Sequence, residues 1–526
     1  MKKSFVILLL IMIAAEIALF VFIGIRGVHF INSDDASELV LANILADQHG
    51  IITRDWYYST ELRFLNTNLV NAPLFMIFHN WRLVRMLSLV ILNIVLSLSV
   101  FYLCFKGKAV DCFPIASLMV LLPTSLEYYK MVSFGTFYIP HIVISFTGIG
   151  LIFGIISLKG FKKYILMAVS FILAFLSCIG GARQIVILYL PLLLTSVLLL
   201  TGKADGEEKS KYKSILLTAV INLIGAGLGY VVNSKVLAGH YHFQQWNDIS
   251  FTGFNLNNFV SVFNDFLISF GYEPTKVGLR CVLSNILTAV IVITVIVAVV
   301  YPLRKKEKVS FEYYFLDIFF LSNVFFFIVL YTFSSMQYRN RYNFPIIVFA
   351  YLLIAFWIKE SDILKSKKLT MMLLYSAIFI MASFLVCGPY FKQITKEKND
   401  EREYITKQVL SDGYNYGYAP FWQSNILIEY SNGLIDMHSV DEFWPTNSES
   451  GSAVVKYAYP WLQAVEHDNE IPTGKVFVLM TSNEYNNWNL KQYLTDEYAI
   501  YSSQSYKAFG FENYETMLQV LDGERQ

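Results

Sequence analysis

Runs of apolar residues long enough to cross a lipid bilayer recur along this chain as far as about residue 390, and they leave few folds open to it. A spanning helix needs about 20 such residues, because each adds 1.5 Å of rise toward a hydrocarbon core about 30 Å thick. Phe5–Ile25, Leu83–Phe105, Tyr138–Leu158, Ile215–Val232, Val282–Leu303, Tyr313–Phe333 and Leu369–Tyr390 meet that length or approach it closely. Four shorter runs, Phe113–Leu126, Tyr164–Ile179, Ile185–Leu200 and Phe344–Ile358, reach it if flanking residues extend them or the bilayer thins. Together they predict about 11 transmembrane helices. At 55% hydrophobic and 15% charged, a chain of 526 residues is too apolar for a soluble enzyme.

Charge orders these spans across the membrane. Lys2 and Lys3 precede the first run, and the dense basic clusters around Lys106, Lys159 to Lys163, Lys203 to Lys213, Arg304 to Lys308 and Lys359 to Lys368 fall on one side only if all the short spans are kept. Cytoplasmic loops carry the Lys and Arg excess, so the N-terminus is expected to be cytoplasmic. An odd number of spans then puts residues 391–526 outside, as an extracellular or periplasmic domain. The expected division is a membrane domain, 1–390, with outer loops 27–82 and 233–280, and an exofacial α+β domain, 391–526. In that tail Lys396 to Leu410 and Tyr514 to Leu521 read as helices, Lys475 to Met480 as a buried strand, and Tyr498 to Phe511 as a strand pair. A cleaved secretory signal fits the first run poorly, because it is long, Glu16 interrupts it, and no small-x-small site precedes Asp34. The 5 cysteines lie in or beside spans and suggest neither a disulfide framework nor a metal site. No polybasic arm or aromatic-basic platform points to nucleic acid.

Asp34 and Asp35 stand just past the first span, on the expected outer side. Asp35 and Glu38 have capping-box spacing ahead of a helix-forming stretch, Ala36 to Gln48, that Gly50 can close. One carboxylate is then used as a helix cap and the other is left free to act as a general base on a hydroxyl. The plainer reading is that both only end a span and start a helix. Leu69 to Phe78 is too short to cross and suits the interface.

Lys130, Arg183, Arg339 and Arg341 are exceptions to the inside bias, placed in short outer loops or span mouths where cations suit a phosphate. Arg183 follows the compact turn Gly180-Gly181-Ala182, and Arg341 belongs to Gln337-Tyr338-Arg339-Asn340-Arg341-Tyr342-Asn343-Phe344-Pro345. His141 enters a span from the same side. Headgroup contact or a surface ion pair is the plainer role for any one of them. The polar, aromatic stretch Tyr414 to Trp444, with Trp422, Asn425 and His438, has the groups that hold a sugar acceptor, and also those of an ordinary small domain. Glu16, in the middle of the first span, keeps a transporter or lipid flippase in play, although no internal repeat supports one.

An acidic pair opening the first outer loop of a many-spanning chain resembles the GT-C superfamily of polyprenyl-phosphate-sugar-dependent glycosyltransferases, of the protein O-mannosyltransferase and aminoarabinose transferase type. Arg341-Tyr342 with Pro345 is similar to an Arg-Tyr-x-x-Pro pattern of such enzymes, and Tyr416 to Asn425 continuing to Ser431-Asn432-Gly433 looks like the tails of bacterial members. The resemblance implies an inverting transfer of a sugar from a polyprenyl-monophosphate carrier to a glycan, lipid or protein hydroxyl of the cell envelope. It implies a base at Asp34, with Asp35 as neighbour or as the base itself. Family members that use a divalent metal hold it with further acidic residues from later loops. No second acidic motif stands out here, so metal dependence stays open and no metal ligand is named.

Overall fold

The computed structural model describes residues 3–26, 31–133, 136–202, 206–243, 250–274, 277–336, 339–361, 367–396, 401–446, 453–468, 471–488 and 491–522. It opens with α1 (Lys3–Arg26), then α2 (Ser33–Asp47), a two-residue strand β1 (Tyr57–Tyr58), α3 (Asn68–Phe75) and α4 (Trp81–Lys106). α5 (Phe113–Leu121), α6 (Leu126–Ser133), α7 (Ile139–Ser157), α8 (Phe161–Ile179), α9 (Leu190–Thr201) and α10 (Gly206–Val231) follow. β2 (His242–Phe243) pairs in parallel with β1. α11 (Leu256–Phe270), α12 (Leu279–Arg304), α13 (Phe311–Phe333), α14 (Phe344–Glu360) and α15 (Lys368–Lys396) complete the helical body.

Every apolar run read from the sequence is largely helical, but not every run is a full span. Among the described residues 9 helices are long and apolar enough to cross a membrane, and the pair around α5 and α6 raises that to 10 if it is one span. The run Ile185–Thr201, expected as an eleventh span, is a shorter apolar helix. α5 and α6 meet at 105° because Pro123 lies between them, where a missing N–H ends the first helix. The Ser125 hydroxyl then accepts from the Tyr128 N–H at 3.1 Å and starts the second. In Ile185–Thr201 a π-helical turn, Ile185–Tyr189, precedes Pro191, and the widened turn accommodates the proline.

Burial sorts the helices into an inner and an outer set. α14 is apolar all round and almost wholly enclosed, whereas α1 and α12 leave Leu10, Ile17, Val282 and Ile293 exposed. A helix body that shows lipid such side chains gains nothing from hiding them. Close approach comes from small residues instead. At Gly229 of α10 a Cβ would collide with the Phe175 carbonyl oxygen of α8, and at Gly225 it would lie 3.0 Å from the Phe171 carbonyl oxygen, so a Gly-x-x-x-Gly seam joins the two helices. The Ser97 hydroxyl donates to Glu16 at 3.3 Å, which gives that carboxylate an interhelical partner.

The tail folds as an α+β domain of α16 (Glu401–Ser411), β3 (Tyr416–Ala419), α17 (Phe421–Tyr430), β4 (Asp436–Thr446), β5 (Ala453–Ala458), β6 (Val476–Thr481), α18 (Ser482–Asn487), β7 (Ala499–Ser502), β8 (Tyr506–Phe511) and α19 (Tyr514–Asp522). The strand order is β5-β4-β3-β6-β8-β7, with β3 parallel to both neighbours and the other pairs antiparallel. β6 alternates as a strand buried on two faces must. Val476, Val478 and Met480 pack with Met517 and Leu521 of α19, while Phe477 and Leu479 face the side of α16 and α17. The helix read at Lys396 to Leu410 is observed as α16, residues 397–400 lying outside the described residues. Tyr414 to Trp444, read as a polar stretch, is a β3-α17-β4 unit.

This domain is bonded to the segment between α1 and α4. The Tyr57 N–H donates to the Gln463 carbonyl and the Leu462 N–H to the Tyr57 carbonyl, both at 2.8 Å, and Val465 bonds the Asp55 carbonyl at 3.1 Å. α17 packs along α2. The Tyr57 hydroxyl also donates to Asp468. α3 covers much of the segment expected in the interface, and Leu69, Met76 and Ile77 are exposed there.

Candidate active site

The acidic pair sits at the N-terminus of α2, but the cap is neither aspartate. Asn32 is the N-cap, its side chain accepting from the Asp35 N–H at 3.1 Å, while the Asp35 carboxylate accepts from the Asn32 N–H at 3.3 Å. The helix therefore starts at Ser33 rather than Ala36, with Asp35 as the far half of the capping box. At the other end Gly50 bonds the Leu45 carbonyl, and the left-handed residue is His49. Asp35 is buried, and its carboxyl is pushed up to about 7 by loss of water, which the nearby charges of Asp34 and Glu429 reinforce and Arg85 opposes.

Asp34 is aimed differently. Its carboxylate is partly exposed and lies 3.7 Å from Nη1 of Arg341. Burial raises its pKa above the ordinary value, against the pull of Arg341 and Arg63. Arg341 stands in a 3-10 turn, Asn340–Asn343, ahead of α14, and its Nε is buried with no hydrogen-bond partner among the described residues. α6 packs on this turn, and Lys130 on α6 pairs locally with Glu127 at 2.9 Å. Arg339 opens the same turn and is exposed. Gln337 and Tyr338 lie outside the described residues.

Two further ion pairs fix the loop after α2. Arg63 meets Glu38 at 2.6 Å and stacks over Phe137. The Thr67 hydroxyl also donates to Glu38, so Glu38 holds the loop instead of capping α2. Glu61 meets Arg183 Nε at 2.8 Å and His141 Nε2 at 3.4 Å. Burial works to raise the Glu61 pKa, but Arg183, His141 and Arg63 together hold the carboxyl well below the usual range. The structure thus brings Arg183 and His141 together on Glu61, and brings Arg341 to Asp34.

A last pair ties the acidic helix to both domains. Arg85 of α4 grips both oxygens of Glu429 on α17 and donates to the Asp35 carbonyl oxygen at 2.9 Å. Of the tail residues singled out for an acceptor, Trp422 is exposed, while Asn425 and His438 are buried in the domain. Asn425 donates to the Leu462 carbonyl at 2.9 Å, and His438 stacks on His467 and Tyr418. The side chains of Asp441, Glu442 and Trp444 lie outside the described residues. Among the described residues no group of three or more His, Cys, Asp or Glu side chains is placed to hold a metal ion.

Glu61, Arg63, Arg85 and Glu429 escaped the reading of the sequence, and Glu38 was read only as a helix cap. Glu61 and Arg63 carried a usable mark, since an arginine in an outer loop is as much an exception to the inside bias as Arg183. Arg85 and Glu429 carried none, being 344 residues apart.

No protein-family model matches the sequence, and no curated protein does. Solved structures do match. ArnT from Cupriavidus metallidurans bound to undecaprenyl phosphate superposes with a TM-score of 0.61 at 10% identity, over 97% of this chain and 98% of that one. Its apo state gives 0.59 at 10% identity, over 95% and 97%. An oligosaccharyltransferase of Archaeoglobus fulgidus, tethered with an acceptor peptide, reaches 0.49 at 12% identity, over 92% and 70%, too loose a match to bear on the fold. The chain has the GT-C-like fold, a polytopic helical membrane body with a C-terminal sheet domain, along nearly its whole length.

Proposed function

We propose that this multi-pass membrane protein is an inverting glycosyltransferase, taking a sugar from a polyprenyl-monophosphate carrier and passing it to a hydroxyl of a cell-envelope acceptor on the outer face. The observation that supports it most is the Asp34–Arg341 juxtaposition, a partly exposed carboxylate 3.7 Å from a guanidinium whose buried Nε has no hydrogen-bond partner among the described residues. The fold is shared with a structure that binds undecaprenyl phosphate, which is the chemistry such a pair suits.

Asp34 takes the proton of the acceptor hydroxyl as its oxygen attacks the anomeric carbon. The bond from that carbon to the phosphate oxygen breaks, and its electron pair leaves with the polyprenyl phosphate. Arg341 meets the charge that grows on the leaving group. Lys130 and Arg339 flank the turn that carries Arg341 and are placed to extend the phosphate's surroundings. The N-terminus is assigned to the cytoplasm and the tail domain to the outside, where α17 and the exposed Trp422 border the acceptor's approach.

The test is incubation of the purified protein in lipid with radiolabelled polyprenyl-phosphate sugars. Carrier release by the wild type and none by Asp34→Asn is the expected result, and wild-type turnover by that variant would sink the assignment of the base. One observation favours a transporter instead: Asp317 on α13 is fully buried, and neither carboxylate oxygen has a partner among the described residues. A transporter moves its substrate without a covalent product and would lose that movement in Asp317→Asn.

A further inference from the structure

Glu61, Arg183, His141 and Gln184 line a small cleft beside the Gly180-Gly181 turn, with room for about one water-sized group. The Leu62 N–H donates to the Gly180 carbonyl at 2.9 Å, which presses the loop carrying Glu61 against that turn. Gln184 is 1% exposed. Its Nε2 donates to the His141 carbonyl at 3.0 Å, and the reverse orientation would set two carbonyl oxygens against each other. The amide is therefore fixed, and Oε1, the other end, is buried in the wall of the cleft with no hydrogen-bond partner among the described residues. Nη1 of Arg183 is likewise without one. A buried amide oxygen left unpaired costs about 1–3 kcal/mol, so such an atom in a cleft marks a place for a donor.

The charge of the cleft says which donor. Arg183 is neutralised by Glu61 at 2.8 Å, and Gln184 Nε2 also lies 3.2 Å from His141 Nδ1, which leaves Nε2–H of a neutral imidazole to face Glu61. A phosphate entering here meets an ionised carboxylate and a bare carbonyl oxygen. A hydroxyl suits both unpaired groups, offering a donor for Gln184 Oε1 and an acceptor for Arg183 Nη1. We infer that this cleft recognises one hydroxyl of a sugar ring and is not the phosphate site. It rests on the transferase reading only for which molecule brings the sugar, the carrier-linked donor or the acceptor glycan.

The test uses the full chain in lipid nanodiscs and measures Kd for bare undecaprenyl phosphate, for undecaprenyl phosphates carrying glucose, galactose, mannose, arabinose or N-acetylglucosamine, and for the methyl glycosides of the same sugars. Wild type is compared with Gln184→Met, and with Gln184→Asn, a milder change that keeps an amide but withdraws the oxygen. A loss of about tenfold for a glycosylated probe, with bare carrier changed less than twofold, is expected from one neutral hydrogen bond. Loss confined to glycosylated carriers assigns the donor's sugar, and loss with methyl glycosides assigns the acceptor's. Equal loss for bare carrier overturns the inference in favour of a phosphate site, and so does wild-type binding of no glycosylated probe, or unchanged binding of every probe in both variants. A protein that binds sugars this way yet never releases carrier would keep the cleft and lose the transferase.

Discussion

Asp34 and Asp35 share a peptide bond and little else. Asp35 is committed to its own helix, bonded to the Asn32 N–H and walled off from water, whereas Asp34 faces Arg341. Since burial holds the Asp34 pKa above its ordinary value, transfer should rise with pH through that raised pKa, because a base works only when ionised. A pH–rate profile flat down to the usual carboxylate range would contradict this. Asp34→Asn should cost about 10² to 10⁴ in rate, measured as carrier release, with the elution profile unchanged. Asp35 bears on stability instead. Its carboxyl binds a proton more tightly folded than unfolded, so between 3.8 and about 7 the folded state carries the extra proton and stability falls as pH rises. Asp35→Asn keeps an oxygen for the cap and should flatten that fall, as followed by Tm at pH 5 and pH 8; an equally steep fall in the variant would refute it. The acidic pair was legible in the sequence, but its register was not. Asn32 with Asp35 and Asp35 with Glu38 both satisfy the capping-box spacing, and what decides is Arg63, which claims Glu38.

The element that most depends on a distant partner is α17. Its Glu429 and the Arg85 of α4 are both nearly excluded from water, and breaking a buried pair by removing one member strands the other charge. Glu429→Ala should therefore cost about 3–5 kcal/mol and expose the tail to limited proteolysis, while the double change Arg85→Leu with Glu429→Leu should recover much of that loss. Resistance of the single variant to protease would mean that the backbone bonds from Tyr57 to Leu462 and Gln463 suffice. Helices were the readable elements, because a span of apolar residues needs no partner to announce itself. The break at Pro123 was written in the sequence as well, but a proline in an apolar run signals equally a kink, a broken span or a re-entrant loop. The β3-α17-β4 unit was hidden for a different reason. Tyr416, Tyr418 and His438 are core residues here, and aromatic rings with polar tips read as a binding surface until their packing is seen.

Across the whole molecule the expected count of about 11 spans, being odd, predicts opposite sides for the two termini. Four of the five native cysteines are buried and Cys387 is half-buried, so new cysteines report against a quiet background. A cysteine at the exposed Asn432 in the tail should react with a membrane-impermeant maleimide in intact cells, and one at Lys305, between α12 and α13, only after permeabilisation. The reverse pattern, or labelling of both in intact cells, would remove the topology on which Asp34 is set outside.

The bonds that seat the tail on the segment between α1 and α4 also impose an order on biosynthesis. Asp34 leaves the ribosome early, but Arg85 finds Glu429 344 residues later in the sequence, and Tyr57 finds Asp468 after 411. At about 5–20 residues per second that is a delay of tens of seconds. A chain halted before its tail would be inserted and yet lack the support of its acidic helix, so Asp34 of a half-made copy waits for the last fifth of the sequence before its surroundings are complete.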